Sequence, residues 1–232
     1  MVNYGEYQIP LLIGKKSIKD GHIHITVDRY AGVAFFIGTE GKIATCKHII
    51  EMVQPDEVLL GKNLITGKID VISNIKTHPK FDFALGNYLA HKNYKCFPIT
   101  KCDYLPGHDI RAFGFTNNGK VNGTVNVNAR LLKGYIISSY EKSEHPLAKT
   151  TTELSFPSLK GFSGSPIVSL ENGSLVGMLF SNHESSIEVH SFMDVDDNGD
   201  KLSESIYRII ELGLAHSYKD ILDFIKDIES AS

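Results

Sequence analysis

The sequence has 232 residues, 42% of them hydrophobic and 22% charged, so it can bury a sizeable core and has the balance of a soluble globular protein. A formal net charge of −3 provides no basic surface for a nucleic acid. No apolar run approaches the length that spans a bilayer. These values predict one domain or two closely packed halves, with neither nucleic acid nor membrane as a partner.

The N-terminus and the cysteines both bear on the compartment. Residues Met1–Glu6 lack the positively charged and apolar regions of a signal peptide. Three cysteines occur, Cys46, Cys96 and Cys102, an odd number that does not suit a disulfide framework. A Cys96–Cys102 loop is conceivable, but a reducing cytoplasm disfavours it, and Cys46 in its apolar run is typical of a small buried residue. We therefore expect a cytoplasmic protein.

Short apolar runs separated by turn signals recur along most of the chain, a pattern typical of an all-β sandwich or barrel. Seven runs come first: Tyr7–Ile13, His22–Val27, Gly32–Ile37, Lys42–Thr45, Glu57–Leu60, Ile69–Ile75 and Ala84–Leu89. Residues 98–107, with two prolines and weak periodicity, are interpreted as a linker between residues 1–97 and 108–232. Eight runs follow: Asp109–Phe115, Val121–Asn128, Leu131–Tyr140, Thr150–Ser155, Pro166–Leu170, Ser174–Phe180, Ser186–Phe192 and Tyr207–Leu212.

The C-terminal stretch changes period. Ser217, with Asp220 three residues later, has the pattern of a helix start. The apolar side chains that follow have helical spacing on one face: Tyr218, Ile221, Leu222, Ile225 and Ile228. The sequence predicts a helix that packs on the second half, with a partner-binding helix as the alternative.

The segment Gly161–Pro166, which reads Gly-Phe-Ser-Gly-Ser-Pro, places Ser163 in a tight glycine-flanked turn. In such a turn the N–H groups of Gly161 and Ser163 can point to one spot, as stabilisation of an oxyanion requires. A serine hydroxyl is a weak nucleophile that needs a base, usually a histidine oriented by a third group. The alternative is a small turn residue in a β connection.

Two upstream windows can provide the base and the third group. His48 ends the apolar run that starts at Lys42, and Asp82 lies between Phe81 and Phe83. A carboxylate between aromatic residues is partly desolvated and needs a hydrogen-bonding partner, which a histidine ring can provide. The alternatives are an ordinary half-buried histidine and a turn or helix-capping carboxylate.

In chain order these windows resemble the His-Asp-Ser triad of the chymotrypsin-like (trypsin-like) serine peptidases. Thr45–His48 is similar to the family's Thr-Ala-Ala-His, Asp82–Leu85 to its Asp-x-Ala-Leu, and Gly161–Pro166 to its Gly-Asp-Ser-Gly-Gly-Pro. The resemblance implies two six-stranded antiparallel β-barrels, with His48 and Asp82 from the first and Ser163 from the second. It also implies a serine endopeptidase that forms an acyl-enzyme, with an oxyanion hole at Gly161 and Ser163 and no metal or organic cofactor.

The sequence departs from the family at Phe162, where secreted zymogens have an Asp that pairs with a new N-terminus. Activation by that cleavage is not expected, so the oxyanion hole is either preformed or ordered by another event, such as binding of an activating protein. The chain has no length for the PDZ domain of the high-temperature-requirement branch, so we expect a stand-alone intracellular bacterial or viral-type member. The competing hypothesis is a latent or inactive module that binds a peptide or a protein.

The family layout also implies a first substrate pocket. Its predicted lining is Pro157, Phe180, Ser181, Asn182 and His190. Pro157 stands near the position at which trypsin has an acidic residue, so a preference for Arg and Lys is not expected. His190 and Ser181 would suit an acidic side chain, as in glutamyl-specific relatives, and the natural substrate stays open.

Two further constellations are weak metal-binding candidates. The segment Asp194–Asp200 is similar to the first half of an EF-hand loop, but Ser205 stands where the loop needs its glutamate. An acidic hairpin turn is favoured there, with weak calcium binding as the alternative. His22 and His24 share one strand face without a third ligand nearby, which favours a solvated strand.

Overall fold

The fold consists of two β units and a C-terminal helix. The computed structural model describes residues 4–38, 40–89, 94–121, 124–140, 145–195 and 201–230. After a single 3₁₀ turn at Tyr4–Glu6, the first unit contains β1 (Gln8–Lys19), β2 (His22–Phe36), β3 (Lys42–Thr45), helix α1 (Lys47–Glu51), β4 (Glu57–Lys62), β5 (Ile69–Val71), β6 (Ser73–Thr77) and β7 (Ala84–Asn87). These strands form one sheet in the order β5-β4-β1-β2-β3-β7-β6.

The two edge strands of this sheet, β5 and β6, are consecutive parts of one chain segment. Only Ile72 separates them, and its N–H donates to the carbonyl of Leu59 at 2.9 Å. The segment therefore pairs with β4 through its first half and with β7 through its second half. The sequence predicts this segment as one strand, Ile69–Ile75, and counted in that way the first unit has six strands. Because the segment connects the two edges of the sheet, the sheet closes into a barrel.

The second unit is a closed six-stranded barrel. Its strands are β8 (Asp109–Val121), β9 (Thr124–Tyr140), β10 (Thr151–Leu154), β11 (Pro166–Ser169), β12 (Leu175–Val195) and β13 (Lys201–Ser217), in the order β10-β13-β12-β11-β8-β9. All pairings are antiparallel. The predicted all-β fold with two barrels is confirmed.

Three hairpins run on past the barrels as long arms, and here the predicted strand breaks are wrong. Strand β12 is continuous from Leu175 to Val195, although the sequence predicts a break between Phe180 and Ser186. The polar residues in that gap have the composition of a turn. Pairing with β13 satisfies the backbone groups on one edge of β12 from Gly177 to Val195, and an arm exposed on both faces needs no apolar alternation. The same reason joins the two runs predicted for β9.

Two apolar cores position the site. The barrel interior of the second unit contains Phe162, Leu179 and Ala215. A larger core joins both units to the helix α2 (Tyr218–Ser230), whose Phe224 ring stacks on Phe81 at 5.0 Å. The helix therefore packs against both units and stabilises their docking.

The N-terminus of α2 has the predicted cap. The N–H of Asp220 donates to Ser217 Oγ at 3.1 Å, which satisfies one of the free N–H groups of the first turn. In the part of the chain that the structure describes, no helix combines the length and the apolar character that crossing a membrane requires.

Candidate active site

His48 and Asp82 form a doubly bonded pair in the first unit. His48 is the second residue of α1, directly after β3, and its backbone N–H donates to Asp82 Oδ1 at 2.9 Å. Its ring Nδ1 lies 2.7 Å from Asp82 Oδ2. Since an ionised carboxylate only accepts, Nδ1 carries a proton, and in the neutral ring the lone pair is then on Nε2. The His48 side chain is 38% exposed, so Nε2 can act as a base towards a bound substrate.

Asp82 itself is fixed through every polar group it has. Its side chain is 3% exposed, its N–H donates to the carbonyl of Leu147 at 2.9 Å, and its carbonyl lies 3.1 Å from His216 Nε2. Burial alone would raise the pKa of Asp82, but the hydrogen bonds and charge of His48 outweigh burial, so the pKa lies below its usual value. Asp82 therefore stays ionised and holds the His48 ring in one orientation.

His216 is a fully buried histidine that the sequence analysis did not single out. Its ring stacks on Phe180 at 4.2 Å and meets Phe224 edge-on at 5.4 Å. Burial lowers the pKa of His216 to about 4, although the nearby Asp82 charge acts in the opposite direction. The ring is therefore neutral near pH 7, with Nε2–H donating to Asp82.

This burial predicts an acid-sensitive contribution to stability. In the unfolded chain the histidine takes up a proton near pH 6.5, whereas folded His216 stays neutral to about pH 4, so the stability is fully present above pH 6.5 and falls between those values. At about 1.4 kcal/mol per pH unit, wild type should lose roughly 3 kcal/mol over this window through His216. The free energy of unfolding is measured with urea at pH 7 and at pH 4. Its decrease between the two pH values should be smaller in His216→Gln than in wild type by about this amount. A variant whose stability falls as steeply as that of wild type would contradict the prediction.

Ser163 lies on the second unit, in the loop between β10 and β11, and the loop docks on the first unit. The N–H of Val33 in β2 donates to the Ser163 carbonyl at 2.9 Å. Gly164 has φ +84, and a Cβ there would lie 2.0 Å from the Val33 carbonyl oxygen and 2.7 Å from Thr45 Oγ1. Only glycine allows this approach, which places Ser163 against the strands that lead to His48.

The hydroxyl of Ser163 makes no hydrogen bond to any residue that the structure describes, His48 included. The residue is half-buried, so part of its surface is open to solvent. Catalytic hydrogen bonds are often long without substrate and tighten in the Michaelis complex. Among the described residues, the N–H groups of Gly161 and Ser163 likewise have no protein acceptor, so both are available to a ligand.

The predicted pocket residues fall into three groups. Asn182 is tied to the residue directly after Pro157, since it accepts from the Ser158 N–H at 2.6 Å and donates to the Ser158 carbonyl at 3.0 Å. Ser181 is half-buried beside them, and Phe180 is buried on His216.

His190 is not brought to the site. It lies on the exposed arm of β12, eight residues beyond Asn182, which is roughly 25 Å along a strand. The family layout implied a place for it in the first pocket, but β12 runs on from Leu175 to Val195 without the break predicted between Phe180 and Ser186.

The metal candidates divide between the site and the arms. Cys46, His48 and Asp82 offer ligand atoms within 4.8 Å of one another, the one such group among the described residues. Burial raises the pKa of the Cys46 thiol, whose Sγ donates to the Leu179 carbonyl, and His48 and Asp82 are hydrogen-bonded to each other. These three residues therefore suit a hydrogen-bonded cluster better than a metal site.

Of the predicted Asp194–Asp200 loop, residues 196–200 lie outside the described residues. His22 and His24 lie on the exposed arm of β2.

Comparisons with known proteins identify the family and the fold. The trypsin-like peptidase domain family matches residues 32–178, more than half of the chain, and the chain belongs to that family. No curated protein sequence matches significantly.

Solved structures share the fold at low identity. The HtrA-type protease AlgW with a decapeptide superimposes with a TM-score of 0.65 at 15% identity, over 97% of this chain and 65% of that one. AlgW with a tripeptide gives 0.62 at 14% identity, over 97% and 60%. An inactive mutant of Rv3671c from M. tuberculosis H37Rv gives 0.59 at 12% identity, over 97% and 88%. The chain thus spans less than two thirds of the AlgW chains.

Proposed function

We propose that the protein is a serine endopeptidase in which Ser163 is the nucleophile, His48 the general base and Asp82 the residue that orients His48. The observation that carries this proposal is the 2.7 Å contact between His48 Nδ1 and the buried Asp82 carboxylate, which in the neutral ring places the lone pair on Nε2. Membership of the trypsin-like peptidase family supports it.

The chemistry follows from the donors and acceptors in the site. His48 Nε2 takes the Ser163 proton as Oγ attacks the substrate carbonyl, and the N–H groups of Gly161 and Ser163 bind the oxyanion. Protonated His48 then gives the proton to the leaving amine, and water releases the acyl group by the same steps. The positive charge that develops on His48 lies beside the ionised Asp82 carboxylate, which stabilises it. The residues need neither a metal nor an organic cofactor for these steps.

The substrate is proposed to be an extended peptide. Strand β12 pairs with β11 only as far as Met178, so its edge beyond Leu179 is open beside Ser163. An extended chain can add to such an edge through backbone hydrogen bonds. The AlgW structures that share this fold contain peptides. For the first pocket, Pro157 and the tied side chain of Asn182 argue against a basic substrate residue, and Ser181 stays a candidate contact.

The test combines labelling and sequencing of products. Purified wild type and Ser163→Ala are treated with a fluorophosphonate, from which Ser163 Oγ would displace fluoride, and separately with a proteome-derived peptide library read by mass spectrometry. Label and cuts should both appear in wild type and vanish in the variant. Cuts that persist in Ser163→Ala would exclude Ser163 as the nucleophile.

A second candidate is a latent peptidase-fold module that binds a peptide or protein, with or without later activation by a partner. The observation that favours it is the absence of a hydrogen bond between Ser163 and His48 in the described structure. Under this hypothesis wild type binds library peptides without cutting them and does not label.

We also propose a reducing compartment, the cytoplasm, as the site of action. Cys46, Cys96 and Cys102 are all free thiols, and Cys46 lies inside the core. A mature protein isolated from its source with a disulfide would contradict this.

A further inference from the structure

Besides Val33, a tyrosine of the first β unit holds the loop that carries Ser163. Tyr30 of β2 donates its hydroxyl proton to the carbonyl of Gly161 at 2.7 Å, with the Phe115 carbonyl 3.2 Å from the same oxygen. The Tyr30 ring is 7% exposed, and burial raises the pKa of its hydroxyl, which therefore remains a donor at all ordinary pH values. A bond of this kind across the interface can fix the orientation of a peptide group.

The peptide group in question joins Gly161 to Phe162 and is held at both ends. Tyr30 binds its carbonyl, and its N–H donates to the Leu159 carbonyl at 2.8 Å. The second of these bonds closes a four-residue turn over residues 159–162, in which Gly161 has φ +98 and Lys160 has a negative φ. That combination defines a type II turn.

The turn type decides where the Gly161 N–H points. This N–H belongs to the middle peptide of the turn, between Lys160 and Gly161. In a type I turn the third residue has a negative φ and the middle peptide is turned over, so its N–H faces the opposite side. Switching between the two forms would therefore make or remove one of the two proposed oxyanion donors without moving Ser163.

Phe162 fixes the other side of the same segment. Its side chain is 0% exposed in the barrel core, and a Cβ on Gly114 would already lie 3.0 Å from its ring. The Gly161 backbone is equally close to Tyr30, since a Cβ on Gly161 would lie 2.6 Å from Tyr30 Cε1. The residue that differs from the family's zymogen aspartate is thus an apolar anchor, and a neutral hydroxyl holds the adjoining carbonyl.

We propose that Tyr30 is a positioning residue. Its hydrogen bond fixes the Gly161–Phe162 peptide, to which the 160–161 peptide is joined, so that the oxyanion donor at Gly161 is in place without proteolytic cleavage or an activating partner. The inference rests on the proposed peptidase function. An uncharged hydrogen bond from β2 would then hold the loop that contains Gly161 and Ser163.

Tyr30→Phe tests the inference because it removes one hydroxyl and keeps the ring. Its matched control is Tyr88→Phe, since Tyr88 is also buried and its hydroxyl donates to the Lys68 carbonyl at 2.9 Å, in a contact within the first unit. Tyr30→Phe should lower kcat and the rate of fluorophosphonate labelling roughly 10- to 100-fold with KM nearly unchanged, since a misplaced oxyanion donor acts on the transition state. Tyr88→Phe should leave both rates as in wild type.

A readout that needs no turnover separates this inference from the peptidase function. In ¹⁵N-labelled protein, the Gly161 amide resonance should shift or broaden in Tyr30→Phe and stay unchanged in Tyr88→Phe. If wild type neither labels nor cuts, the peptidase function fails while the resonance still tests the positioning role. An unchanged Gly161 resonance with wild-type labelling in Tyr30→Phe would overturn the inference.

Wild type provides a check should Tyr30→Phe not fold. The Tyr30 hydroxyl proton should be visible by NMR and exchange slowly with water, because it is buried in a hydrogen bond. Rapid exchange of that proton, or a wild-type enzyme that labels only after an added partner or peptide, would also overturn the inference.

Discussion

Asp82→Asn should reduce kcat by roughly 10⁴-fold with little change in KM. Both oxygens of Asp82 accept a hydrogen bond from His48, one from the backbone N–H and one from Nδ1. An amide has a single acceptor, so its NH₂ must face one of these donors. Facing Nδ1, it forces the proton to Nε2, and the ring can no longer accept the Ser163 proton. Cleavage of a substrate peptide under steady-state conditions measures the loss.

The control is Asp227→Asn on α2. Asp227 also contacts a histidine, with 3.4 Å between Oδ2 and His78 Nε2, but its side chain is 62% exposed and lies outside the site. This variant should retain wild-type kcat. A loss of less than tenfold in Asp82→Asn, with Asp227→Asn unchanged, would show that Asp82 does not orient the base.

Gly164→Ala should destabilise the protein by roughly 3–5 kcal/mol, among the largest effects of a single methyl group. The new Cβ would lie 2.0 Å from the Val33 carbonyl oxygen, which is backbone and cannot turn away, and φ +84 adds strain. Relief requires the Ser163 loop to leave β2, so any folded fraction should also lose cleavage. Urea unfolding followed by circular dichroism gives the stability.

Gly173→Ala is the matched control because it separates strain from collision. Gly173 has φ +74 and nothing within 4 Å of its added Cβ, so its cost should be only the roughly 1–2 kcal/mol of the left-handed conformation. The difference between the two variants measures the close approach of the loop to β2. Equal losses of stability in the two variants would mean that the close contact between Gly164 and Val33 adds nothing to the cost of Gly164→Ala.

Pattern reasoning was most successful where local chemistry restricts the residue types. The windows around His48, Asp82 and Ser163 each combine an apolar or glycine-rich frame with one reactive side chain, and the family that they resemble is the one found by comparison. The cap of α2 at Ser217 is similarly local, since donor and acceptor lie three residues apart.

Pattern reasoning was least successful on the hairpin arms. An arm that is solvated on both faces has no apolar alternation, so polar runs within β9 and β12 resemble turns although both strands continue. His190, which the family layout implied for the first pocket, lies on such an arm. Register between two strands is a pairwise property, and a one-strand pattern does not contain it.

From the sequence alone came the all-β class, the order of the three candidate catalytic residues and the unusual Phe162. Only the tertiary structure identified the groups that hold them. Tyr30 and Gly161 are 131 residues apart in sequence, and Asp82 and His216 are 134 apart. No local pattern marks such residues, because a buried tyrosine or histidine in an apolar strand is ordinary until a partner from the other unit is placed against it. Their roles exist only once the two β units have docked.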